Sequence, residues 1–351
     1  MKKIRMMALV TLLAATVAFV GCGNQTAASS DSNAESAQTE VAVAAAPIKI
    51  VAAHNQTNTD SPYQTGLLEF EKVAEANGMF DVEVHAGTIG TSEAELVEKL
   101  KLGAADVVLV SPGFMTKTGI KEIDLFSLPY LFDSYDHWEN VVDGDVGQAM
   151  SDIIYNKSNK EFKVLGYWTA AVRHYYGKKP LNSIEDIKGM KIRTQTSGAV
   201  SEYWTSLGAI PTAVAWGELY QGLQQGIVDA AENAYPYLVP MEHHKTANGK
   251  YLTETGHDYT TRLLLVNAKK FDQMTEEQKN ELIKAAEASV AAERTAIYNE
   301  EESYKEQLIA DGGIVNEIDR TPFIEAAIPL QDKVASELGL EELLQAIREA
   351  K

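Results

Sequence analysis

Residues 189–198 read GMKIRTQTSG and residues 207–233 read LGAIPTAVAWGELYQGLQQGIVDAAEN. The pattern predicts a short strand at 191–193, a helix over 216–225 that ends at a glycine, and a second short strand starting at 227–229. A strand, a helix and another strand in this order indicate an α/β fold with a parallel sheet. In such sheets, ligands bind beyond the carboxyl ends of the strands.

The same alternation extends over most of the chain. Apolar runs predict further strands, and N-capping residues before apolar-periodic segments predict further helices. The predicted strands are 48–53, 82–85, 107–110, 163–168 and 263–267. The predicted helices begin at Ser61-Pro62 and at Ser92 and cover 197–207. We therefore expect a doubly wound α/β architecture.

One helix is predicted to be unusually long. Thr275 and Gln278 form a capping-box pattern, and no glycine or proline follows before Gly312-Gly313. About 35 helical residues at 1.5 Å each would extend roughly 50 Å, which is more than one lobe of this size needs. A helix that crosses two lobes explains the length, and the alternative is two helices with a kink near 291–295.

The N-terminus predicts export from the cytoplasm. A basic start is followed by an apolar run at 6–20, which is shorter than a membrane span and typical of a signal peptide. The run ends in Phe19-Val20-Gly21-Cys22, which is similar to a bacterial lipobox. We therefore predict a lipoprotein signal peptide at 1–21 and lipidation of Cys22, the single cysteine of the chain. An ordinary signal peptide with an incidental cysteine is the alternative.

Residues 22–47 are small and polar, so they predict a flexible tether after the lipidated cysteine, with a helical stalk as the alternative. About 300 residues remain, which is enough for two lobes. Without the first 21 residues, 28 basic and 50 acidic side chains give a net charge of −22. This acidity disfavours a nucleic-acid partner, because phosphate binding requires a basic surface.

Motifs of the common enzyme classes are missing from the sequence. It contains no G-x-S-x-G, no H-E-x-x-H and no glycine-rich phosphate loop. The seven histidines are scattered except for His243-His244, for which the sequence favours a helix surface. These observations predict a protein that is not an enzyme and carries no cofactor and no metal.

Four segments resemble those of the extracytoplasmic solute-binding proteins of TRAP (tripartite ATP-independent periplasmic) transporters. The resemblance covers the chain from Ile48 onward, and it implies a two-lobed periplasmic-binding-protein fold in which each lobe is a sheet flanked by helices and one long helix spans both. It places lobe I at 48–170 plus 259–298 and lobe II at 171–258 plus 299–351. The segments are TIGTSEAELVEKLKLGAADVVLVSPG (88–113), IDLFSLPYLF (123–132), IEDIKGMKIR (184–193) and ELYQGLQQGIVDAAEN (218–233).

The resemblance also implies a binding site. Arg193 stands where the family has the arginine that binds a ligand carboxylate, and a guanidinium can hold a carboxylate through two parallel N–H bonds. Arg173 matches a second pocket arginine, with an ion pair to Asp or Glu as the alternative. Asn233 and Glu232 match polar pocket positions, and Trp216 matches an aromatic over the ligand, with a core tryptophan as its alternative.

Further candidates follow the predicted strands of lobe I. They share positions at strand exits, which line the cleft of an α/β protein. These candidates are His54, Asn55, Gln56, Ser92 and Ser111. Ser92 and Ser111 stand where some sugar-acid binders have carboxylates, and Ala230 replaces the usual glycine.

The expected function is high-affinity capture of a small organic acid and its delivery to TRAP membrane permease subunits for ion-gradient-driven uptake. A sugar acid such as a uronate or aldonate, or a dicarboxylate, would satisfy Arg193, and the polar candidates with Trp216 favour a hydroxylated acid. The location would be extracytoplasmic and lipid-anchored, in the periplasm or on the outer face of the cytoplasmic membrane. A solute-binding lipoprotein of an ABC transporter is the alternative.

Overall fold

One mixed β-sheet runs through the computed structural model, which describes residues 46–194 and 198–350. The predictions for the signal peptide, Cys22 and the tether up to residue 45 lie outside these ranges. The strands are β1 Ile48–His54, β2 Phe80–Ala86, β3 Val107–Val110, β4 Phe162–Gly177, β5 Lys191–Thr194, β6 Ile210–Ala213, β7 Ala230–Asn233, β8 Tyr251–Asn267 and β9 Ile314–Asn316.

The strand order is β2-β1-β3-β8-β4-β7-β5-β6, and β9 pairs with β8. At one end, β1 lies between β2 and β3 with parallel pairing. At the other end, β5 lies between β6 and β7, also with parallel pairing. The long strands β4 and β8 pair antiparallel along their length and connect the two ends. The two ends are the sheets of the two lobes, and β4 and β8 belong to both.

The β4–β8 pairing is irregular where the lobes meet. Its register shifts between Thr169 and Val172 and again between Arg173 and Tyr175. Ala171 has a φ of 60°, in the left-handed region that a side chain with a Cβ disfavours. Because the residue is fully buried, the surrounding packing holds it in this conformation. The ladder is therefore interrupted at the junction, and a further register shift lies between Val164 and Gly166.

Helices cover both faces of the sheet. They are α1 Pro62–Glu75, α2 Glu93–Leu102, α3 Pro112–Met115, α4 Tyr135–Val142, α5 Asp145–Lys157, α6 Gly198–Ser206, α7 Leu219–Gln224, α8 Tyr235–Leu238, α9 Ala268–Asp272, α10 Glu276–Ala310, α11 Thr321–Leu338 and α12 Glu341–Glu349. Within the described ranges, no helix is both long enough and apolar enough to cross a membrane.

Two predictions around residue 220 are wrong in detail. The predicted helix at 216–225 is a 3-10 turn at Trp216–Glu218 followed by α7, and the predicted strand at 227–229 is a turn that precedes β7. The backbone N–H groups of Ile227 and Val228 donate to the carbonyl oxygen of Gly222, at 2.9 and 3.4 Å. These residues therefore terminate α7 and are not available to pair in a sheet.

Alternating side chains of the strands enter two separate cores. In β8, Leu263 and Leu265 pack into the core beneath α4, α5, α11 and α12, whereas Leu264 and Val266 pack into the core beneath α1 and α10. A sheet buried on both faces explains the continuous apolar runs in the sequence, because neither face can carry the polar half of an alternating pattern.

The long helix α10 is one uninterrupted element of 35 residues, so the prediction of a single helix is confirmed and the kinked alternative is wrong. Its capping box is formed, since Thr275 and Gln278 each accept from the other's backbone N–H. The helix contacts α1, β4, α8 and β9. Its buried face is spaced three or four residues apart and includes Leu282, Ala285, Ala286, Ser289, Glu293 and Ile297.

Glu293 is an unusual member of that buried face. It is fully buried, and its Oε2 accepts from the backbone N–H of Thr169 at 3.2 Å, next to the junction of the lobes. Its Oε1 has no hydrogen-bond partner among the described residues. Burial raises the pKa of this carboxyl well above its usual value, although Thr169, Arg294 and Arg262 oppose the shift. The side chain is therefore held as a neutral acid over a wider pH range than an exposed glutamate.

We predict that Glu293→Gln stabilises the protein increasingly as pH rises. The folded-state pKa lies above the unfolded value of about 4.3, so the stabilisation by the protonated form is complete below that pH and is lost as pH rises toward the folded-state pKa. Glutamine does not ionise and avoids this loss, which amounts to about 1.4 kcal/mol per unit of pKa displacement. Denaturant unfolding between pH 4 and pH 8 measures the difference in the free energy of unfolding.

Glu287→Gln on the same helix is the matched control, because Glu287 is exposed. The difference in the free energy of unfolding between Glu287→Gln and the wild type should not depend on pH. If the free energy of unfolding of Glu293→Gln differs from that of the wild type by a constant amount between pH 4 and pH 8, the raised pKa of Glu293 is contradicted.

Candidate functional site

A cavity of about 560 Å³ opens at the carboxyl ends of the parallel strands, between the two lobes. Its wall is formed by residues that follow β1, β2, β3 and β6, by β5 itself, by the end of β7 and the middle of β8, and by α1 and α8. The lining residues are Asn55, Gln56, Tyr63, Thr91, Ser92, Glu93, Ala94, Phe114, Lys117, Arg193, Thr194, Ala213, Val214, Ala215, Trp216, Gly217, Glu218, Asn233, Tyr237 and Arg262.

Arg193 lies in this cavity and is 6% exposed. It stands in β5 between Thr212 of β6 and Ala231 of β7, so the sheet fixes its backbone on both sides. Its Nε donates to the carbonyl oxygen of Val214 at 3.0 Å. It takes part in no ion pair within the described residues, and burial lowers the pKa of its guanidinium. A buried cation without a counter-ion favours binding of an anion.

Trp216 also lines the cavity, with its ring 5.8 Å from the Cζ of Arg193. The ring of His243 packs edge-on against it at 4.9 Å. The Nδ1 of His243 is hydrogen-bonded to the hydroxyl of Tyr176 at 2.9 Å. His243 is fully buried and His244 nearly so, which corrects the prediction that they lie on a helix surface. His243 supports Trp216 from behind, so this face of the cavity is rigid and aromatic.

Asn233 lines the cavity, and its carbonyl oxygen is already engaged. Its Oδ1 accepts from Arg173 Nη1 and from the backbone N–H of Ala234, each at 2.9 Å. These bonds orient the amide so that its NH₂ group is the part left to donate. Asn233 can therefore offer donors to a ligand oxygen near Arg193.

Arg173 and Glu232 do not line the main cavity. The Nε of Arg173 is paired with Glu232 Oε2, and Nη2 donates to the Glu232 carbonyl oxygen at 2.6 Å. His257 Nε2 lies 3.3 Å from the same carboxylate oxygen. The alternative of an ion pair is therefore what the structure shows for Arg173. These two charged groups satisfy each other and border a separate cavity of about 20 Å³.

The pair is strongly stabilised electrostatically. Burial alone raises the pKa of the Glu232 carboxyl, but the charge of Arg173 and the bonds to His257 and Arg173 outweigh it and lower this pKa to about 2. The carboxylate therefore stays ionised, and it holds Arg173 in the position from which it orients Asn233. We interpret Arg173 and Glu232 as residues that position Asn233.

The candidates of lobe I divide into two groups. Asn55, Gln56 and Ser92 line the cavity. His54 is fully buried with Nε2 2.8 Å from Gln64 Oε1, and Ser111 Oγ donates to Glu93 at 2.5 Å. Neither of these two side chains lines the cavity. Ser92 is also the N-cap of α2, where its hydroxyl accepts from the backbone N–H of Glu95.

Sequence reasoning missed several cavity residues with polar or charged side chains, among them Tyr63, Glu93 and Arg262. Tyr63 and Glu93 fall in the first turns of the helices predicted to begin at Ser61-Pro62 and at Ser92, and a position within a helix does not indicate a cavity. A single arginine directly before the apolar run at 263–267 was the available signal for Arg262. Buried charged groups need a partner, so an arginine within a buried strand indicates either an ion pair or a ligand.

The cavity can bind an anion, but its side chains show no metal site. Within the described ranges, no group of three or more His, Cys, Asp or Glu side chains could hold a metal ion. The wall of the cavity includes two guanidinium groups, three side-chain amides, two tyrosine hydroxyls and the aromatic rings of Trp216 and Phe114. This set suits recognition of a small polar acid with a carbon skeleton.

Comparison with known proteins agrees with this geometry. The family model described as bacterial extracellular solute-binding protein, family 7, matches residues 52–338. An uncharacterized protein of Salmonella typhimurium, YiiZ, is 33% identical over 267 residues, which cover 76% of this chain and 80% of that protein. The C4-dicarboxylate-binding periplasmic protein DctP of Rhodobacter capsulatus is 29% identical over 80% of this chain and 85% of its own length.

A solved structure gives the same answer for the fold. A TRAP periplasmic solute-binding protein from Xanthobacter autotrophicus, with bound β-D-galacturonate, superposes with a TM-score of 0.79 at 28% sequence identity. The match covers 86% of this chain and all of that chain. This protein therefore belongs to family 7 of the bacterial extracellular solute-binding proteins, the DctP-type solute-binding proteins of TRAP transporters.

Proposed function

We propose that this protein captures a small organic acid outside the cytoplasm and delivers it to the membrane permease of a TRAP transporter for ion-gradient-driven uptake. The observation that carries the proposal is Arg193, a buried guanidinium in the cavity between the lobes that has no ion-pair partner among residues 46–194 and 198–350. Its fork of N–H donors matches the two oxygens of a carboxylate. The ligand's carboxylate would therefore bind at Arg193, next to the amide of Asn233.

The relatives support this ligand class. The DctP relative is named for C4-dicarboxylates, and the Xanthobacter structure holds a uronate. Both kinds of molecule offer a carboxylate. A sugar acid such as a uronate or aldonate and a dicarboxylate are therefore the two candidates here. The family match favours the TRAP class over the ABC alternative.

We also propose that Cys22 is lipidated after removal of residues 1–21, so that the protein is anchored to a membrane surface by residues 22–47. The support is the lipobox-like sequence that precedes the single cysteine. The family is extracellular by description, which agrees with an export signal.

The division into lobes at 48–170 plus 259–298 and 171–258 plus 299–351 remains our proposal for the moving parts. The irregular pairing at Thr169–Val172 supports a hinge there, since an interrupted ladder resists bending less than a regular one. The cavity wall comes from both lobes. We propose that the lobes close on the ligand and that the closed form is what the permease recognises.

We predict that Arg193→Ala lowers affinity for the physiological acid at least thirtyfold. Truncating one partner of a buried charge pair costs about 2–5 kcal/mol, because the ligand carboxylate loses both N–H donors. Arg193→Lys should also bind poorly, since an ammonium group does not reproduce the planar fork. The ligand is found first by thermal-shift screening of organic acids and then measured by titration calorimetry.

Arg348→Ala is a suitable control, because it removes the same charge from α12, outside the cavity. It should bind as the wild type does. Near-wild-type affinity in Arg193→Ala, with the fold intact by circular dichroism, would end the assignment of Arg193.

We predict that saturating ligand reduces the radius of gyration of the protein measured by small-angle scattering. Closure of two lobes over the cavity makes the molecule more compact, and such closure is common among two-lobed binding proteins. Arg193→Ala at the same ligand concentration should keep the radius of the ligand-free protein. An unchanged radius in the saturated wild type would instead indicate a rigid, preformed pocket.

A further inference from the structure

Three buried charged side chains line the cavity without forming an ion pair. Arg193, Arg262 and Glu93 are each 5–6% exposed, and none of them lies within 4.0 Å of an opposite charge among the described residues. At longer range, Glu93 acts electrostatically on both arginines. Unpaired charges in a buried site are costly, so their pattern indicates what the ligand must provide.

Glu93 is anchored through one oxygen only. Its Oε2 accepts from the backbone N–H and from the hydroxyl of Ser111, each at 2.5 Å. A carboxylate has accepting capacity on both oxygens, so Oε1 can still accept from a ligand. The helix start at Ser92 fixes the backbone of Glu93. Glu93 is therefore a rigid acceptor in the cavity wall.

Arg262 is held with donors to spare. Its Nε donates to the hydroxyl of Tyr63 at 2.6 Å, and its Nη1 donates to the carbonyl oxygen of Thr261 at 3.1 Å. These bonds use two of its five N–H donors. The ring of Tyr237 packs against Tyr63 at 5.3 Å, so a second tyrosine hydroxyl lies in the same wall. This wall of the cavity therefore offers several donors.

We propose that Glu93 and Arg262 form a subsite for ligand hydroxyls, and that Glu93 selects a hydroxylated monocarboxylic acid by excluding a second carboxylate. The proposal deepens the proposed function and rests on it, since Arg193 is taken to bind the first carboxylate. Two arginines against one glutamate give the buried groups a net charge of +1, which one carboxylate neutralises. Lys117 and Glu218 also line the cavity, but they are exposed and opposite in sign.

The end of the ligand that lies away from Arg193 can carry either a hydroxyl or a second carboxylate, and the subsite distinguishes the two. A hydroxyl can donate to Glu93 Oε1 and accept from Arg262 or Tyr237, so it satisfies both kinds of group. A second carboxylate can accept from Arg262 but has no hydrogen for Glu93, and its charge is repelled. Like charges placed together are a common means of rejecting a wrong partner. Aldonates and uronates therefore fit, whereas dicarboxylates are rejected.

The test uses pairs of acids that differ only in whether the last carbon is an alcohol or a carboxylate. Erythronate with meso-tartrate, and gluconate with glucarate, are such pairs, and glucuronate and galacturonate extend the set. We expect the wild type to bind the monoacid of at least one pair at least tenfold more tightly than its diacid by calorimetry. A wild-type protein that prefers the diacids, or that binds none of these acids, overturns the inference.

Glu93→Gln removes the negative charge that we propose excludes a second carboxylate. Glutamine keeps an oxygen that can accept from Ser111, so the local fold should persist, and the melting temperature without ligand checks this. We expect the ratio of monoacid to diacid affinity to fall at least tenfold. Glu95→Gln is the matched control, two residues along the same helix, exposed and outside the cavity. A ratio that changes less than threefold in Glu93→Gln contradicts the proposal.

Two further variants distinguish the selectivity of Glu93 from the binding of the first carboxylate by Arg193, which is part of the proposed function. Arg262→Gln should lower affinity for both members of a pair at least tenfold, because the donor to the ligand's distal end is lost. Arg193→Ala should lower affinity for every acid at least thirtyfold. If Arg193→Ala binds like the wild type, the proposed function fails. If it binds at least thirtyfold more weakly and Glu93→Gln leaves the ratio unchanged, only the selectivity subsite fails.

Discussion

The antiparallel pairing of β4 with β8 is the constraint on which the rest of the structure depends. Each strand enters both lobes, so the two parallel sheets are held in one hydrogen-bonded assembly without a separate linker. The cavity results from this arrangement, because both sheets direct the carboxyl ends of their parallel strands toward the same space. The long helix α10 contacts both lobes from one face of the sheet and reinforces the connection.

The buried charged side chains near the cavity form two groups, one paired and one without ion-pair partners among the described residues. Arg173 and Glu232 neutralise each other, and Arg173 Nη1 also donates a hydrogen bond that orients the amide of Asn233. Three other buried charges line the cavity and have no opposite charge at ion-pair distance in the described part of the chain, namely Arg193, Arg262 and Glu93. A buried charge is costly unless it is paired and hydrogen-bonded, so a buried charge that lacks a partner can be stabilised by a ligand of opposite charge. The site is therefore prepared for an anion before the anion arrives.

The sequence predicted the α/β fold class and the long helix, because these depend on local signals such as periodicity and capping residues. The binding role of Arg193 came from the family resemblance, and the structure places this residue in the cavity wall. It could not determine whether Arg173 and Glu232 face a ligand or each other, since this depends on the pairing of β4 with β7 across 60 residues of chain. Arg262 was missed for a similar reason. It stands within a strand, and only the packing of α1 and α8 turns that part of β8 into a cavity wall.

The interrupted register near Ala171 has a consequence for how the chain tolerates change in length. Between Thr169 and Val172, β4 spans one residue more than β8 does between Thr261 and Tyr259. Side chains of a strand alternate between the two faces of the sheet. Removing the extra residue would therefore turn Arg173 and the residues after it in β4 to the opposite face. Arg173 would then leave Glu232 and Asn233. At this junction, the number of residues is constrained more tightly than their identity, and an insertion or deletion would be more damaging than most substitutions.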